Sequence, residues 1–314
     1  MAKIIAVSNQ KGGVGKTTTT CSVAAGLKKR GYRVLAVDLD PQGNLGFSIG
    51  AETETSATIY DVLKEEVKIQ YAIQRTPAMD VIISSILLSG IELEFTNKGR
   101  EYLLKEALRP IGNMYDFILL DTPPNLGILT INAFAASDTI IVPMISDIFS
   151  LQGIAQLYET VERVRKYCNP GLCIAGILLT RFNPRTLLSR EVRGTAELVA
   201  RDLHIRVFDS SIRSGIAASE AQSVQRSVFD YAPNSNVARD YNSFIDEFLA
   251  KGGVVGREQI GPAADAAGIR GREQPPKFGN GANPAQSSNF GSPPQEKAWQ
   301  PVERGENGKN ETRN

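Results

Sequence analysis

Short apolar runs alternate with amphipathic stretches along residues 1–251. The apolar runs predict strands at 3–8, 33–38, 79–84, 117–121, 139–143 and 174–180. Apolar residues at helical spacing predict helices at about 17–30, 151–167, 187–203 and 236–250. Strands that are apolar throughout and alternate with helices are typical of a parallel sheet covered on both faces. The pattern therefore predicts an α/β fold with a doubly wound, mostly parallel sheet, against which the last helix packs.

The composition of the chain changes near Gly252. From there to Asn314 it is rich in Gly, Pro, Asn, Gln and charged residues. Such a segment buries too little apolar surface to offset the conformational entropy lost on ordering. We therefore predict a folded domain at 1–251 and a disordered tail at 252–314. The single Trp, Trp299, lies in this tail and is either an incidental solvated aromatic or a short anchor for a partner protein.

Charge is nearly balanced over the 314 residues, with 35 Lys and Arg, 34 Asp and Glu, and a formal net charge of +1. A surface for nucleic acid would therefore be a local patch. The one His, His204, argues against His-rich metal sites and Ser-His-Asp triads, and the three Cys form no CxxC pair. The sequence contains neither a membrane-spanning apolar run nor a secretory signal. We therefore expect a soluble, cytoplasmic protein.

A glycine-rich segment follows the first predicted strand and opens the first predicted helix. Residues 9–18 read Asn-Gln-Lys-Gly-Gly-Val-Gly-Lys-Thr-Thr. Its three glycines allow backbone N–H groups to turn inward around an anion, and the helix adds its positive N-terminal end. In such a loop Lys16 contacts the β- and γ-phosphates, the Thr17 hydroxyl binds magnesium, and Thr18 contacts the α-phosphate region. The segment predicts a nucleoside triphosphate site; a glycine-rich turn without nucleotide is the alternative.

Acidic residues end two of the predicted strands. Asp38 and Asp40 come at the end of the second strand, and Asp121 ends the apolar run Phe-Ile-Leu-Leu-Asp at 117–121. The carboxyl ends of parallel strands face the ligand crevice. Strand alternation places Asp38 and Asp40 on one side of the chain. Both aspartates also suit a turn that simply ends the strand.

The glycine-rich segment departs from the general phosphate-loop pattern, because Gln10 stands where a Gly is usual and Lys11 follows it. The pattern Lys-Gly-Gly-x-x-Lys-Ser/Thr resembles the deviant Walker A ATPases, and the run at 38–44 resembles the ParA/Soj partition proteins most. The resemblance covers residues 1–250 and implies ATP and Mg²⁺ as cofactors. It implies nucleotide contacts from Lys11, Gly12, Gly13, Val14, Gly15, Lys16, Thr17, Thr18, Asp121 and Arg213.

The resemblance also implies roles in catalysis. Lys11 would reach across a homodimer to the ATP of the partner subunit, and Lys16 would act on the ATP of its own subunit. Asp40 would orient or deprotonate the attacking water. The metal residues would be Thr17, Asp38 and Asp121, with the two aspartates acting indirectly. Asp147 either borders the dimer and nucleotide pocket or caps a helix.

Partition ATPases bind DNA without sequence preference, which requires basic residues on one face. Arg185 matches a DNA-contacting arginine of Soj-like proteins, and Arg190, Arg193 and Arg213 are further candidates. Ala217 stands where the family has a second arginine, and Arg213 stands where it has a proline beside the adenine. The arginines of this half are alternatively a solvated surface.

These features predict an ATPase that partitions plasmid or chromosomal DNA as a nucleoid-associated protein, with hydrolysis stimulated by a ParB-type centromere-binding partner. One alternative is a ParA-like ATPase that positions a protein assembly. The other is an ATP-sensing regulatory protein with negligible turnover. The end of the chain has no amphipathic helix with a basic polar face, so we expect no membrane partner.

Overall fold

The computed structural model describes residues 1–250. The predicted tail 252–314, with Trp299, lies outside the described residues. Within the described residues, seven strands form one sheet in the order β3-β4-β2-β5-β1-β6-β7. The strands are β1 (Lys3–Val7), β2 (Val34–Asp38), β3 (Gln74–Arg75), β4 (Asp80–Ile82), β5 (Phe117–Asp121), β6 (Thr139–Ile145) and β7 (Cys173–Thr180).

Helices cover both faces of this sheet. They are α1 (Lys16–Lys29), α2 (Asn44–Ser48), α3 (Ile59–Leu63), α4 (Ile69–Ala72), α5 (Ile91–Glu94), α6 (Leu103–Leu108), α7 (Ile128–Ala136), α8 (Ile148–Tyr167), α9 (Leu187–Asp202), α10 (Ala217–Ser223), α11 (Val228–Tyr231) and α12 (Asn236–Ala250). Short 3-10 helices lie at Ile86–Gly90, Arg100–Tyr102 and Arg109–Ile111. None of the helices within residues 1–250 is both long and apolar enough to cross a membrane.

The α/β fold with a mostly parallel sheet is confirmed. All neighbouring strands pair in parallel except β3 and β4, which are antiparallel. Alternate residues of the central strands enter different cores: Leu35 and Ile118 pack on one face, whereas Ala36 and Leu119 pack on the other. Such burial on both faces explains why these strands are apolar throughout.

The predicted helix at 236–250 is α12, and its apolar residues join the core on one face of the sheet. Phe244 packs edge-to-face on Phe208, with ring centroids 4.8 Å apart. A Cβ atom at Gly26 of α1 would clash with Ile245 of α12. This glycine therefore allows α12 to lie close against the helix that follows the glycine-rich loop.

Several predicted boundaries and elements were wrong. The strand predicted at 79–84 is only Asp80–Ile82, and the helix predicted from 151 begins at Ile148. Helix α7 was missed, because nearly all of its residues are buried and it lacks the polar face that marks an amphipathic helix. The antiparallel edge strand β3 was missed because a two-residue strand has no periodicity to detect.

Candidate nucleotide and metal site

The glycine-rich loop connects β1 to α1 and has the backbone conformation of an anion-binding loop. Gly13 and Gly15 have φ angles of 73° and 86°, in the left-handed region that side chains disfavour. Gly15 caps α1 without a side-chain hydrogen bond. The first N–H groups of this 14-residue helix therefore face the loop without a side-chain acceptor, as a phosphate site requires.

Lys16 is folded over this loop. Its Nζ donates a 3.1 Å hydrogen bond to the carbonyl oxygen of Lys11, and the residue is buried. Burial lowers the pKa of Lys16, whereas the nearby carboxylates of Asp121 and Asp40 oppose this change. The ammonium is thus held at the loop by an acceptor that an incoming phosphate can replace.

Asp38 and Asp121 are side by side, because they are register partners on the adjacent strands β2 and β5. Asp38 is completely buried, and its two oxygens accept 3.0 Å hydrogen bonds from the N–H groups of Asp40 and Leu45. Burial raises the pKa of Asp38 well above its usual range, and the neighbouring Asp121 adds to this rise. Asp38 therefore shapes the loop after β2 and lies behind the cavity wall.

Asp121 has a free coordination position. Its Oδ1 accepts a 3.1 Å hydrogen bond from the Thr20 hydroxyl, whereas Oδ2 is buried without a partner. Burial raises the pKa of Asp121 to about 7, against the effects of hydrogen bonds from Thr17 and Thr20 and of the Lys16 charge. An orphaned carboxylate oxygen beside a second buried aspartate fits a divalent cation and its water shell.

The remaining Mg²⁺ ligands would come from elsewhere. Within residues 1–250 no cluster of three or more His, Cys, Asp or Glu forms a complete metal cage. Mg²⁺ commonly uses one or two protein groups together with waters and substrate phosphates. The Thr17 hydroxyl therefore fits as a direct ligand of a cation that enters with a nucleotide. Asp121 and Asp38 would act on its water shell.

A cavity of about 960 Å³ opens over the glycine-rich loop. Its floor includes Gly12, Gly13, Gly15, Lys16, Thr17 and Thr18, as predicted. Asp40 also lines it, and the Asp40 Oδ1 accepts a 3.1 Å hydrogen bond from the Gln42 N–H. The Val14 side chain is buried, and its carbonyl accepts a 2.8 Å hydrogen bond from the Thr180 hydroxyl. The cavity therefore brings the glycine-rich loop and the Asp40 carboxylate to the same space.

Comparison with known proteins places this geometry in a family. A family model described as an AAA domain matches residues 2–174. The chain is 40% identical to the sporulation initiation inhibitor protein Soj of Bacillus subtilis, over 80% of this chain and 100% of Soj. It is also 40% identical to the chromosome partitioning protein ParA of Caulobacter vibrioides, over 79% of this chain and 94% of that protein. The chain belongs to the ParA/Soj family of ATPases.

A solved structure supports the assignment of the fold. Cobyrinic acid a,c-diamide synthase from Mycobacterium smegmatis, with bound ADP and magnesium, has a TM-score of 0.71 and 34% identity. The match covers 81% of this chain and 96% of that chain. The family resemblance and the P-loop fold predicted above are thus confirmed, and a close structural neighbour of this ParA/Soj-family chain holds a nucleotide with magnesium.

The cavity wall also contains residues that sequence reasoning did not place there. Arg181, directly after β7, lines the cavity, as does Gln222, whose Nε2 is 3.4 Å from the Thr18 hydroxyl. Arg181 follows the carboxyl end of a parallel strand, the same signal that identified the aspartates. Gln222 has no comparable sequence signal, because 204 residues separate it from Thr18.

Arg213 lies on this wall but is already paired. Its Nη2 lies 2.6 Å and its Nε 2.9 Å from the two carboxylate oxygens of Asp240 on α12, and its backbone N–H donates to the same carboxylate. The hydrogen bond to Asp240 raises the pKa of Arg213. The guanidinium is thus fixed beside the cavity, with its charge paired to Asp240.

The other three predicted DNA residues differ in exposure and in pairing. Arg185 and Arg190 are exposed, and neither has an acidic partner within the described residues. Arg193 is half-buried and forms a 2.9 Å ion pair with Glu197. Two of the four predicted arginines therefore present an unpaired charge to solvent near the start of α9.

We expect Asp121→Asn to stabilise the protein without nucleotide or Mg²⁺ at pH 8. Burial raises the pKa of Asp121 to about 7 in the folded protein, above its value in the unfolded chain. The free energy of unfolding therefore falls as the pH rises between these two pKa values. At pH 8 the full cost of burying the ionised carboxylate is present. Removing a penalty of roughly 1–3 kcal/mol raises Tm by about 2–4 °C per kcal/mol. Thermal melting in a chelating buffer measures this rise, which should shrink at pH 5.

The control for this prediction is Asp116→Asn. The hydrogen bond from Arg33 lowers the pKa of Asp116 to about 2, so the ionised form of that exposed carboxylate is favoured and its loss should not stabilise the protein. Asp121→Asn should also abolish the additional stabilisation that Mg²⁺ gives in the presence of ATP. An unchanged or lower Tm at pH 8 would contradict the expectation that the buried, ionised Asp121 carboxylate destabilises the folded protein.

Proposed function

We propose that this protein is a Mg²⁺-dependent ATP hydrolase. The observation that supports the proposal most is that the glycine-rich loop, the buried Lys16 and the Asp40 carboxylate line one cavity. Lys16 would neutralise the β- and γ-phosphates, and the N–H groups and hydroxyls of Thr17 and Thr18 would bind phosphate and metal. Mg²⁺ would supply charge neutralisation at the phosphates.

Asp40 is the residue that we assign to the attacking water. Asp40 lines the cavity and keeps a small exposed fraction. Asp38 and Asp121 are completely buried and are not part of the lining. The Gln42 N–H holds one of its oxygens, so the carboxylate is oriented before substrate enters. The predicted indirect metal role of Asp38 is compatible with its position, because both of its oxygens already accept backbone hydrogen bonds.

We further propose that ATP brings two copies of the chain together and that the dimer binds duplex DNA without sequence preference. Lys11 would then contact the nucleotide of the partner subunit. Support comes from the position of Lys11, which lies outside the lining of the cavity in its own chain. The exposed Arg185 and Arg190 would contact phosphates. The domain would comprise 1–251 and be followed by a disordered tail.

The cellular role that we propose is partition of plasmid or chromosomal DNA by a cytoplasmic, nucleoid-associated protein, with a ParB-type protein stimulating hydrolysis. Support comes from relatives that this chain matches over most of their own length. Chromosome partitioning proteins named ParA are among them. ATP turnover measured with and without DNA and a centromere-binding partner tests this role. Turnover that neither DNA nor the partner changes would reject it.

We expect Arg185→Glu to weaken binding to duplex DNA in the presence of a non-hydrolysable ATP analogue and Mg²⁺. A dimer presents each phosphate contact twice, so one substitution removes about two contacts. At ~0.9 per contact, the plot of log affinity against log salt should flatten by ~1.8 units. Gel-shift titrations at several salt concentrations measure this slope, and turnover without DNA should stay nearly unchanged.

Arg75→Glu is the matched control, because Arg75 is also exposed but lies on β3, at the opposite edge of the sheet from β7. Its salt slope should equal that of the parent protein. An unchanged slope for Arg185→Glu would remove Arg185 from the DNA site. Absence of DNA binding by the parent protein at low salt would instead favour positioning of a protein assembly.

A further inference from the structure

The Lys11 side chain forms an ion pair within its own chain. Its Nζ lies 2.6 Å from Oδ2 of Asp147, at the start of α8. Both side chains are about two-thirds buried, with 32% and 27% of their surface exposed. The pair joins the glycine-rich loop to the segment between β6 and α8, across 136 residues of sequence.

Both ends of this ion pair are held in place. Asp147 caps α8, because its Oδ1 accepts a 2.9 Å hydrogen bond from the Ser150 N–H and its Oδ2 accepts another from the Ser150 hydroxyl. The Lys11 N–H donates to the Asn9 side chain, which in turn donates to the Pro143 carbonyl. The pair is therefore built into the fold, which distinguishes it from a chance meeting of two mobile side chains.

The pair and the proposed role of Lys11 compete for one ammonium group. Neither Lys11 nor Asp147 is part of the cavity lining. The Asp147 carboxylate, 2.6 Å from the Lys11 ammonium, neutralises part of its charge and repels the phosphates of a nucleotide bound to another copy of the chain. A contact made by Lys11 across a dimer therefore weakens or breaks its pair with Asp147.

We propose that Asp147 is a positioning residue that holds Lys11 in the resting subunit and thereby sets the threshold for ATP-dependent dimerisation. This inference rests on the proposed function, in which Lys11 acts across the dimer. Asp147 opposes dimerisation, since one Lys11–Asp147 pair breaks in each of the two subunits. The carboxylate does this without contacting the nucleotide, so it changes the dimer equilibrium and leaves ATP binding by the single subunit unaltered.

The expected change in the dimer dissociation constant follows from the partial exposure of the ion pair. Ion pairs accessible to solvent change an equilibrium constant by roughly 1.4- to 5.4-fold each. Loss of two such pairs should therefore tighten the dimer by about 2- to 30-fold. Asp147→Asn is the suitable variant, because asparagine caps helices as well as aspartate does and only the charge is lost.

The first experiment measures the dimer dissociation constant by light scattering, with Mg²⁺ and a non-hydrolysable ATP analogue. Asp147→Asn should dimerise at about 2- to 30-fold lower protein concentration than the parent, and Asp147→Glu should return towards the parent value. Asp230→Asn is the matched control, because it breaks a Lys29–Asp230 ion pair of 2.7 Å away from the loop. Unchanged or weaker dimerisation of Asp147→Asn would overturn the inference.

The second experiment tests the pair without nucleotide. A paired ammonium is protected from amine-reactive reagents, so Lys11 in the monomer should be labelled about 2- to 5-fold faster in Asp147→Asn, as measured by mass spectrometry of the peptides. Lys29 should respond only to Asp230→Asn. Equal labelling of Lys11 would overturn the inference even if dimerisation occurs. Failure of the parent protein to dimerise with the ATP analogue would instead reject the proposed ATP-dependent dimer. The proposed effect of Asp147 on dimerisation would then be rejected as well.

Discussion

Replacing Asp40 with alanine is expected to slow single-turnover ATP hydrolysis by roughly 10²–10⁴-fold, the usual contribution of a general base or water-positioning group. The change removes the carboxylate that lines the cavity, whereas Lys16 and Thr17 stay in place. ATP binding should therefore persist, and light scattering should detect an ATP-bound dimer that outlives that of the parent. Phosphate release in a single-turnover experiment measures the rate.

Asp40→Asn separates the chemistry from the conformation of the loop. An asparagine oxygen can still accept the hydrogen bond that the Gln42 N–H donates to Asp40, but it cannot take a proton from water. A loss of rate equal to that of Asp40→Ala would assign the effect to the carboxylate charge. A decrease of less than about tenfold in both variants would show that Asp40 does not have the assigned role.

Replacing Lys16 with alanine is expected to weaken ATP binding by roughly 10²–10⁴-fold. Two charge-assisted hydrogen bonds to the β- and γ-phosphates are lost, at about 1.5–3 kcal/mol each. The N–H groups of the loop remain, but they cannot neutralise the triphosphate. Titration with a fluorescent ATP analogue measures the affinity, and far-UV circular dichroism checks that the variant is folded.

Lys11→Ala is the informative comparison for Lys16→Ala. Lys11 contacts Asp147 and lies outside the cavity lining, so its loss should leave most of the nucleotide affinity and remove ATP-dependent dimerisation. Lys29→Ala is the control, since Lys29 also forms a lysine–aspartate pair but lies at the other end of α1. Equal losses of binding and dimerisation in the Lys11 and Lys16 variants would contradict this division of roles.

Features that depend on neighbouring residues could be predicted from the sequence. Hydrophobic runs identified six of the seven strands within residues 1–250, with β5 predicted at its observed bounds of Phe117–Asp121. The loop at 9–18 requires glycines at left-handed positions and a helix directly after it, and both requirements are visible in ten consecutive residues. The aspartates that end strands were also found, because parallel strands bring their carboxyl ends to one edge.

The roles of individual carboxylates required the tertiary structure. Asp38 and Asp40 look equivalent in the sequence, but the turn after β2 buries Asp38 behind its own backbone hydrogen bonds and leaves Asp40 on the cavity wall. The strand alternation that was used to place them together ends where β2 ends, at Asp38. The strand order likewise places Asp121 beside Asp38, where it adds to the rise that burial causes in the pKa of Asp38.

The sequence alone thus determined the α/β class, the position of the phosphate loop and the family. Only the tertiary structure decided which charges are paired: Lys11 with Asp147, and Arg213 with Asp240. Local patterns arise from contacts within one helix turn or one strand, and they can be read over a few residues. An ion pair between residues 136 positions apart has no such pattern. It depends on the pairing of β1 with β6, which brings the loop after β1 close to the segment between β6 and α8.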